Sequence, residues 1–86
     1  MSQPNLALYF YEACPYCQFV LEAIDDLDVK VEYCNTREDR NHYNKLVQDT
    51  GRGTVPCLYI DGQPMHESAD IVRWLKANAA KLTKNG

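Results

Sequence analysis

The chain predicts an α/β domain: one mixed four-stranded sheet with helices on both faces, in the order β-α-β-α-β-β-α. Three observations carry this reading. Leu6-Ala7-Leu8-Tyr9-Phe10-Tyr11 is almost wholly apolar, as expected of a strand covered on both sides and lying at the sheet centre. Three stretches repeat apolar residues at helical spacing. Asp61-Gly62 stands between two short strand-like runs and reads as a hairpin turn. A first βαβ unit needs a parallel crossover and the closing hairpin needs antiparallel strands, so a mixed sheet satisfies both.

Residues 1–5, with Ser2, Gln3 and Pro4, are expected to be a flexible lead. The first helix runs from Pro15 to Leu27, with Val20, Ile24 and Leu27 on one face and Phe19 and Ala23 beside them. Asp25, Asp26 and Asp28 oppose the helix dipole and mark its end. Val29-Lys30-Val31-Glu32-Tyr33 alternates strictly, which predicts an edge strand with one wet face. Thr36 or Asn41 is expected to cap the second helix, in which Tyr43, Leu46, Val47 and Thr50 share a face and after which Gly51 provides the stop. A strand from Pro56 to Ile60 then turns into a short one ending near His66. Ser68 is the expected cap of the last helix, whose inner face is Ile71, Val72 and Leu75, with Trp74 on a partly exposed flank. Lys76, Lys81 and Lys84 suit a helix C-terminus and a solvated tail, and residues 81–86 are expected to be flexible.

A chain of 86 residues holds one small domain. Hydrophobic residues make up 45%, enough for a packed core. The net charge of −3 gives no reason to expect nucleic acid or an anionic membrane surface as a partner. The apolar run at residues 6–10 is too short to span a bilayer and follows no basic segment, so the expected setting is cytoplasmic. In a reducing compartment, a Cys-x-x-Cys beside a βαβ pattern points to a working dithiol.

That motif is Cys14-Pro15-Tyr16-Cys17, at the junction of the first strand and first helix. The first cysteine meets unpaired N–H groups and the positive end of the helix dipole, which favour an anion. In such motifs the thiol pKa falls from ~8.5 to roughly 3.5–7.5, so Cys14 is the candidate nucleophile. Cys17, one turn on, would lie nearer the core with its sulfur close enough to attack a mixed disulfide at Cys14. Pro15 at the first helical position forfeits no hydrogen bond. Two other uses stand beside this one: half of a zinc site, or two small core hydrophobes. Zinc would need two further ligands from Cys34, Cys57, His42 and His66, none of which forms a second close pair.

With these elements placed, the chain resembles the glutaredoxins of the thioredoxin-fold superfamily. The resemblance rests on Cys14-Pro15-Tyr16-Cys17, Thr54-Val55-Pro56 and Glu67-Ser68-Ala69-Asp70-Ile71, and with the element order it covers residues 6 to 80. The Glu-Ser element is shared with the N-terminal domain of glutathione transferases, and the whole is most similar to that domain of two-domain, transferase-like glutaredoxins. The resemblance implies a cis Pro56 and a glutathione site in which the Val55 main chain pairs with the ligand's cysteine. Thr54 and Tyr16 would line that site, and Glu67 and Ser68 would hold the γ-glutamyl end. For Ser68 a helix N-terminus with a free N–H and a hydroxyl is also a physical reason to bind a carboxylate.

Many glutaredoxins carry a lysine where this chain has Tyr11. Arg52, Arg40 or Arg37 could supply the missing charge, with Arg52 expected first because it adjoins the Thr-Val-Pro segment. Cys57, turned away from the groove by strand alternation, is expected to be buried and inert. Cys34 could form a regulatory disulfide or glutathione adduct. His66, just before Glu67, could help bind the ligand but is expected first as a solvent-facing loop residue, and His42 as a surface one.

The function these residues imply is glutathione-dependent thiol–disulfide exchange through Cys14, with Cys17 resolving and no tightly bound cofactor or metal. The expected partners are glutathione and glutathionylated or disulfide-containing proteins, for a monomer. Two rival functions use the same motif. One is a [2Fe–2S] carrier with glutathione as co-ligand, and the other is a dithiol donor reduced by thioredoxin reductase.

Overall fold

The computed structural model describes residues 4–82. Its elements are β1 (Leu6–Phe10), α1 (Pro15–Leu27), β2 (Glu32–Asn35), α2 (Arg40–Thr50), β3 (Cys57–Ile60), β4 (Gln63–Met65) and α3 (Ser68–Asn78), with a 3-10 turn at Ala79–Lys81. The strands form one mixed sheet in the order β2-β1-β3-β4. β1 runs parallel to β2 and antiparallel to β3, and β3 and β4 form the antiparallel hairpin.

β1 is apolar because both its faces are covered. Leu8 and Phe10 pack with Val20 and Ile24 of α1 and with Ile71 and Leu75 of α3. Tyr9 packs on the other face with Cys34, Cys57, Tyr59 and Leu46, the buried residue of α2. Helices therefore cover both sides of the sheet, α1 and α3 against one face and α2 against the other. Val72 and Trp74 are partly buried beside the α3 face, as expected.

Asp28 ends α1 in a left-handed conformation and Gly51 does the same for α2, each returning its N–H to the helix it closes. Asp61 and Gly62, at φ 51° and 85°, make the two-residue hairpin turn that positive φ at both positions defines. The Val55–Pro56 bond is cis.

Local details depart from expectation in several places. β2 begins at Glu32, not Val29: Val29 makes only an isolated bridge, and Val29 and Val31 pack against the α1–α3 core ahead of the continuous ladder. β3 begins at Cys57, leaving Pro56 outside the ladder. Asp39, not Thr36 or Asn41, caps α2 by accepting the Asn41 N–H at 2.9 Å. Thr36 is occupied elsewhere: its N–H and hydroxyl both donate to the Phe10 carbonyl, fastening the loop to β1. Glu67 occupies the cap position of α3 and Ser68 is its first helical residue. Asn5 and Leu82, expected in flexible ends, are tied in. Asn5 and Asp61 exchange two hydrogen bonds, and Leu82 is buried. Expectations for residues 1–3 and 83–86, including Lys84, fall outside the described residues.

Candidate active site

The sheet delivers four chain segments to one of its ends. β1 and β2 finish there and β3 starts there, so the turn after β1, the loop after β2, the segment before β3 and the start of α3 after β4 lie side by side.

Cys14 is the cap residue of α1. Its backbone is extended, Pro15 is the first helical residue, and its sulfur accepts the Cys17 N–H at 3.3 Å. The thiol also lies 3.9 Å from the Val55 carbonyl, across the opening between α1 and the segment before β3. Cys14 and Cys17 are both free thiols, with Cys14 4% exposed and Cys17 wholly buried. Burial, and then the hydrogen bond to Cys14, push the Cys17 thiol pKa well above its ordinary range. At neutral pH Cys17 therefore holds its proton.

Beside this pair lies a groove of about 340 Å³ lined by Tyr16, Thr54, Val55, Pro56, His66, Glu67, Ser68 and Ala69. Six of the sequence-predicted site residues meet there: Tyr16, Thr54, Val55, Pro56, Glu67 and Ser68. Glu67 is held at φ 72°, a left-handed value that a glutamate seldom adopts. Such outliers cost ~1–3 kcal/mol and cluster where a site demands them. Tyr16 is 62% exposed at the groove's rim, with Phe19 exposed one turn later on α1.

The structure does not bring Tyr11 and Arg52 into this groove. The Tyr11 ring lies beneath the Arg37 guanidinium, 3.9 Å from its centre. Arg37 in turn lines a separate hollow with Thr36, Arg40 and Tyr43. Arg52 is exposed, and its charge lowers the pKa of both Cys57 and His66, which places it toward that side of the sheet.

His66 corrects the expectation of a solvent-facing residue. It lines the groove, its Nε2 stands 4.0 Å from the Cys57 sulfur, and its buried Nδ1 has no hydrogen-bond partner among the described residues. Burial, followed by Arg52, lowers its pKa, so the ring is neutral at pH 7. Its position beside Glu67 was the available sequence signal. His42 is also half-buried, edge-on to the Tyr9 ring at 5.9 Å. Cys57 is fully buried, and desolvation pushes its thiol up to about 11. Cys34 is buried against the α2 face, its sulfur 4.0 Å from a Glu32 carboxylate oxygen, and burial raises its pKa.

A larger hollow of about 540 Å³ opens at the other end of β1, between Asn5, Lys30, Glu32 and Leu82, but no cysteine or histidine lines it. Among the described residues, no three His, Cys, Asp or Glu side chains are grouped to hold a metal ion, and no helix is long and apolar enough to cross a membrane.

Comparison with known proteins places this geometry in context. The family described as glutathione S-transferase, N-terminal domain, matches residues 8–83. Among solved structures, the chain is similar to the Drosophila melanogaster glutathione S-transferase isozyme E7, with 30% identity over 90% of this chain and a TM-score of 0.73. An epsilon-class glutathione S-transferase from the housefly, Musca domestica, superposes over 90% of this chain with a TM-score of 0.76 at 23% identity. The chain spans 36% of the length of each of these transferases. A wheat glutaredoxin is 18% identical, and the superposition covers 93% of this chain and 83% of that one at a TM-score of 0.70. No curated protein matches the chain significantly.

Proposed function

Since the chain belongs to the glutathione S-transferase N-terminal domain family, we propose that it is a glutathione-dependent thiol–disulfide oxidoreductase, the chemistry its two adjoining thiols support. The observation that carries this reading is the Cys14 thiol at the α1 N-terminus, 3.9 Å from the Val55 carbonyl and beside an open groove.

The groove suits an extended thiol peptide. Val55 lies outside the sheet ladder, so its main chain is available to pair with the peptide like a short added strand. The N-terminus of α3 at Ser68 suits the α-carboxylate of a γ-glutamyl group, and the Glu67 carboxylate suits its ammonium. Together they favour glutathione over a free thiol.

In the proposed cycle the Cys14 thiolate attacks the glutathione sulfur of a mixed disulfide. The protein thiolate leaves and takes up a proton, and Cys14 becomes disulfide-bonded to glutathione. A second glutathione thiolate then attacks the bound glutathione sulfur, forming oxidised glutathione and returning Cys14 as thiolate. The Cys17 N–H on the Cys14 sulfur stabilises that leaving thiolate. Cys17 can also attack the Cys14 sulfur, expelling the bound thiol and closing a Cys14–Cys17 disulfide that two glutathiones reduce. The route through a second glutathione needs no thiolate at Cys17, whose proton burial holds.

The test is reduction of the mixed disulfide of glutathione and 2-mercaptoethanol, coupled to glutathione reductase. Wild type turns over and Cys14→Ser falls to background. Retained activity in Cys14→Ser, or an inactive wild type, overturns the proposal. In the latter case visible absorbance of anaerobically purified protein tests for an iron–sulfur carrier, and reduction by thioredoxin reductase tests for a dithiol donor.

A further inference from the structure

We propose that His66 is a proton-sensitive positioning residue for the groove: as a neutral imidazole set against Cys57 it holds Glu67 and Ser68 opposite Val55, and on gaining a proton it leaves that seat, so that acid weakens glutathione binding. This rests on the reading of the groove as the glutathione site.

The register of the β3–β4 hairpin puts His66 at the point where the groove opens. Leu58 pairs with Met65, and continuing that register sets Cys57 opposite His66 and Val55 opposite Ser68. At Cys57 and His66 the two segments still touch, with Nε2 4.0 Å from the sulfur. Val55 and Ser68, further along, both line the open groove. His66 and Glu67 alone join β4 to α3. Glu67 stands at φ 72° and makes no side-chain cap bond, so it does little to fix the direction of the first turn of α3. The imidazole seated on Cys57 supplies that constraint.

The seat suits a neutral ring. Burial keeps the proton on Cys57, and its sulfur takes a main-chain hydrogen bond from Met65, which leaves the S–H to donate to Nε2. The ring's own proton is then on Nδ1, a buried atom with no hydrogen-bond partner among the described residues. A second proton, on Nε2, would set a donor against a donor and leave a charged ring with no oxygen to receive either N–H. The charged groups bearing on the ring are Arg52, from the segment between α2 and β3, and Glu67 beside it, while Tyr16 of α1 lines the same groove. Burial and then Arg52 outweigh Glu67, so the seated ring holds a proton less tightly than an imidazole in water. The closed arrangement is therefore complete above the ordinary histidine value of ~6.5 and is lost as pH falls below it. A charged His66 favours a ring turned out to water, and the junction carrying Glu67 and Ser68 moves with it.

The probe is S-methylglutathione, whose capped sulfur enters no exchange, and whose carboxylates and ammonium keep their charges between about pH 5 and pH 7. Nuclear magnetic resonance of isotope-labelled histidine rings follows His66 and His42 separately, with His66→Gln and His42→Gln to assign them. Saturating probe should lower the His66 titration midpoint by roughly 0.5–1 pH unit, which by reciprocity is a roughly 3- to 10-fold loss of affinity for the protonated form. In His66→Gln, whose amide can still meet the Cys57 thiol but gains no proton, calorimetry should find an affinity that no longer changes over this range. His42→Gln should keep the wild-type pH dependence. A His66 midpoint unmoved or raised by the probe, or a pH dependence undiminished in His66→Gln, overturns this inference alone. No binding of the probe at any pH overturns the glutathione reading of the groove, and this inference with it.

Discussion

The Cys14 sulfur and the Val55 carbonyl oxygen face one another at 3.9 Å, although the two residues are 41 positions apart in the chain. That distance joins the first helical turn to the segment before β3, and the Cys17 N–H at 3.3 Å completes the sulfur's surroundings. Cys17 lies behind Cys14, wholly buried, and burial holds its proton, so the proposed cycle gives the two thiols unequal tasks.

Cys17→Ser should therefore keep at least half of the wild-type rate on a glutathione mixed disulfide, while losing the reduction of protein disulfides that need a second thiol. Steady-state rates on the two substrate types test this. Equal loss on both would mean that Cys17 acts in every turnover.

Ser68→Ala separates binding from helix capping. The cap position of α3 belongs to Glu67 and makes no side-chain cap bond, so removing the Ser68 hydroxyl should change stability by less than about 0.5 kcal/mol. Losing a hydrogen bond to a carboxylate costs about 1.5–3 kcal/mol, which would raise the KM for glutathione by about tenfold or more. Urea unfolding and steady-state kinetics on one preparation decide between the roles.

Asp49 links α2 to the sheet by accepting hydrogen bonds from Lys45 and the Tyr59 hydroxyl, each at 2.9 Å. The Lys45 hydrogen bond, and next that of Tyr59, hold its carboxyl below the usual carboxylate range. Its folded value thus lies below the unfolded one, near ~3.9, so the contribution is complete above that value and disappears as pH falls through the folded value. Asp49→Asn should flatten the acid side of a urea-midpoint profile between about pH 5 and pH 2.5, with little change in slope above pH 6.

For Cys57 the sign is reversed. Burial lifts its thiol to about 11, so the folded state holds the proton more tightly than the unfolded chain does. Its contribution is complete below the ordinary thiol range of ~8.5 and is lost as pH rises toward the folded value. At pH 8 iodoacetamide should leave Cys57 unmodified in the folded protein and label it in urea, as read by peptide mass spectrometry. Rapid labelling without urea would contradict its burial.

The architecture was legible because its signals are periodic. An apolar run covered on both faces, the helical spacing of Val20 and Ile24, and the Asp61-Gly62 turn each have a physical reading in the sequence. Boundaries were less legible. Val29 to Tyr33 alternates throughout, yet the continuous ladder begins only at Glu32, with Val29 making a single bridge ahead of it. Thr36, Asp39 and Asn41 all have capping chemistry, but Thr36 is committed to Phe10 in the folded chain. In the site, motif spacing brought six groove residues together, whereas the stack of Arg37 on Tyr11 and the inward turn of His66 depend on side-chain direction. The positive φ of Glu67 has no local signature at all.

β4 consists of only Gln63, Pro64 and Met65, with Pro64 opposite Tyr59. A proline is accommodated in a ladder only where its nitrogen faces away from the neighbouring strand. The outer rim of β4 thus lacks a donor at its midpoint, and a foreign strand approaching it would find its hydrogen-bond register broken. One border of the sheet is sealed against edge-to-edge growth into aggregates, independently of whatever chemistry the opposite end of β1 performs.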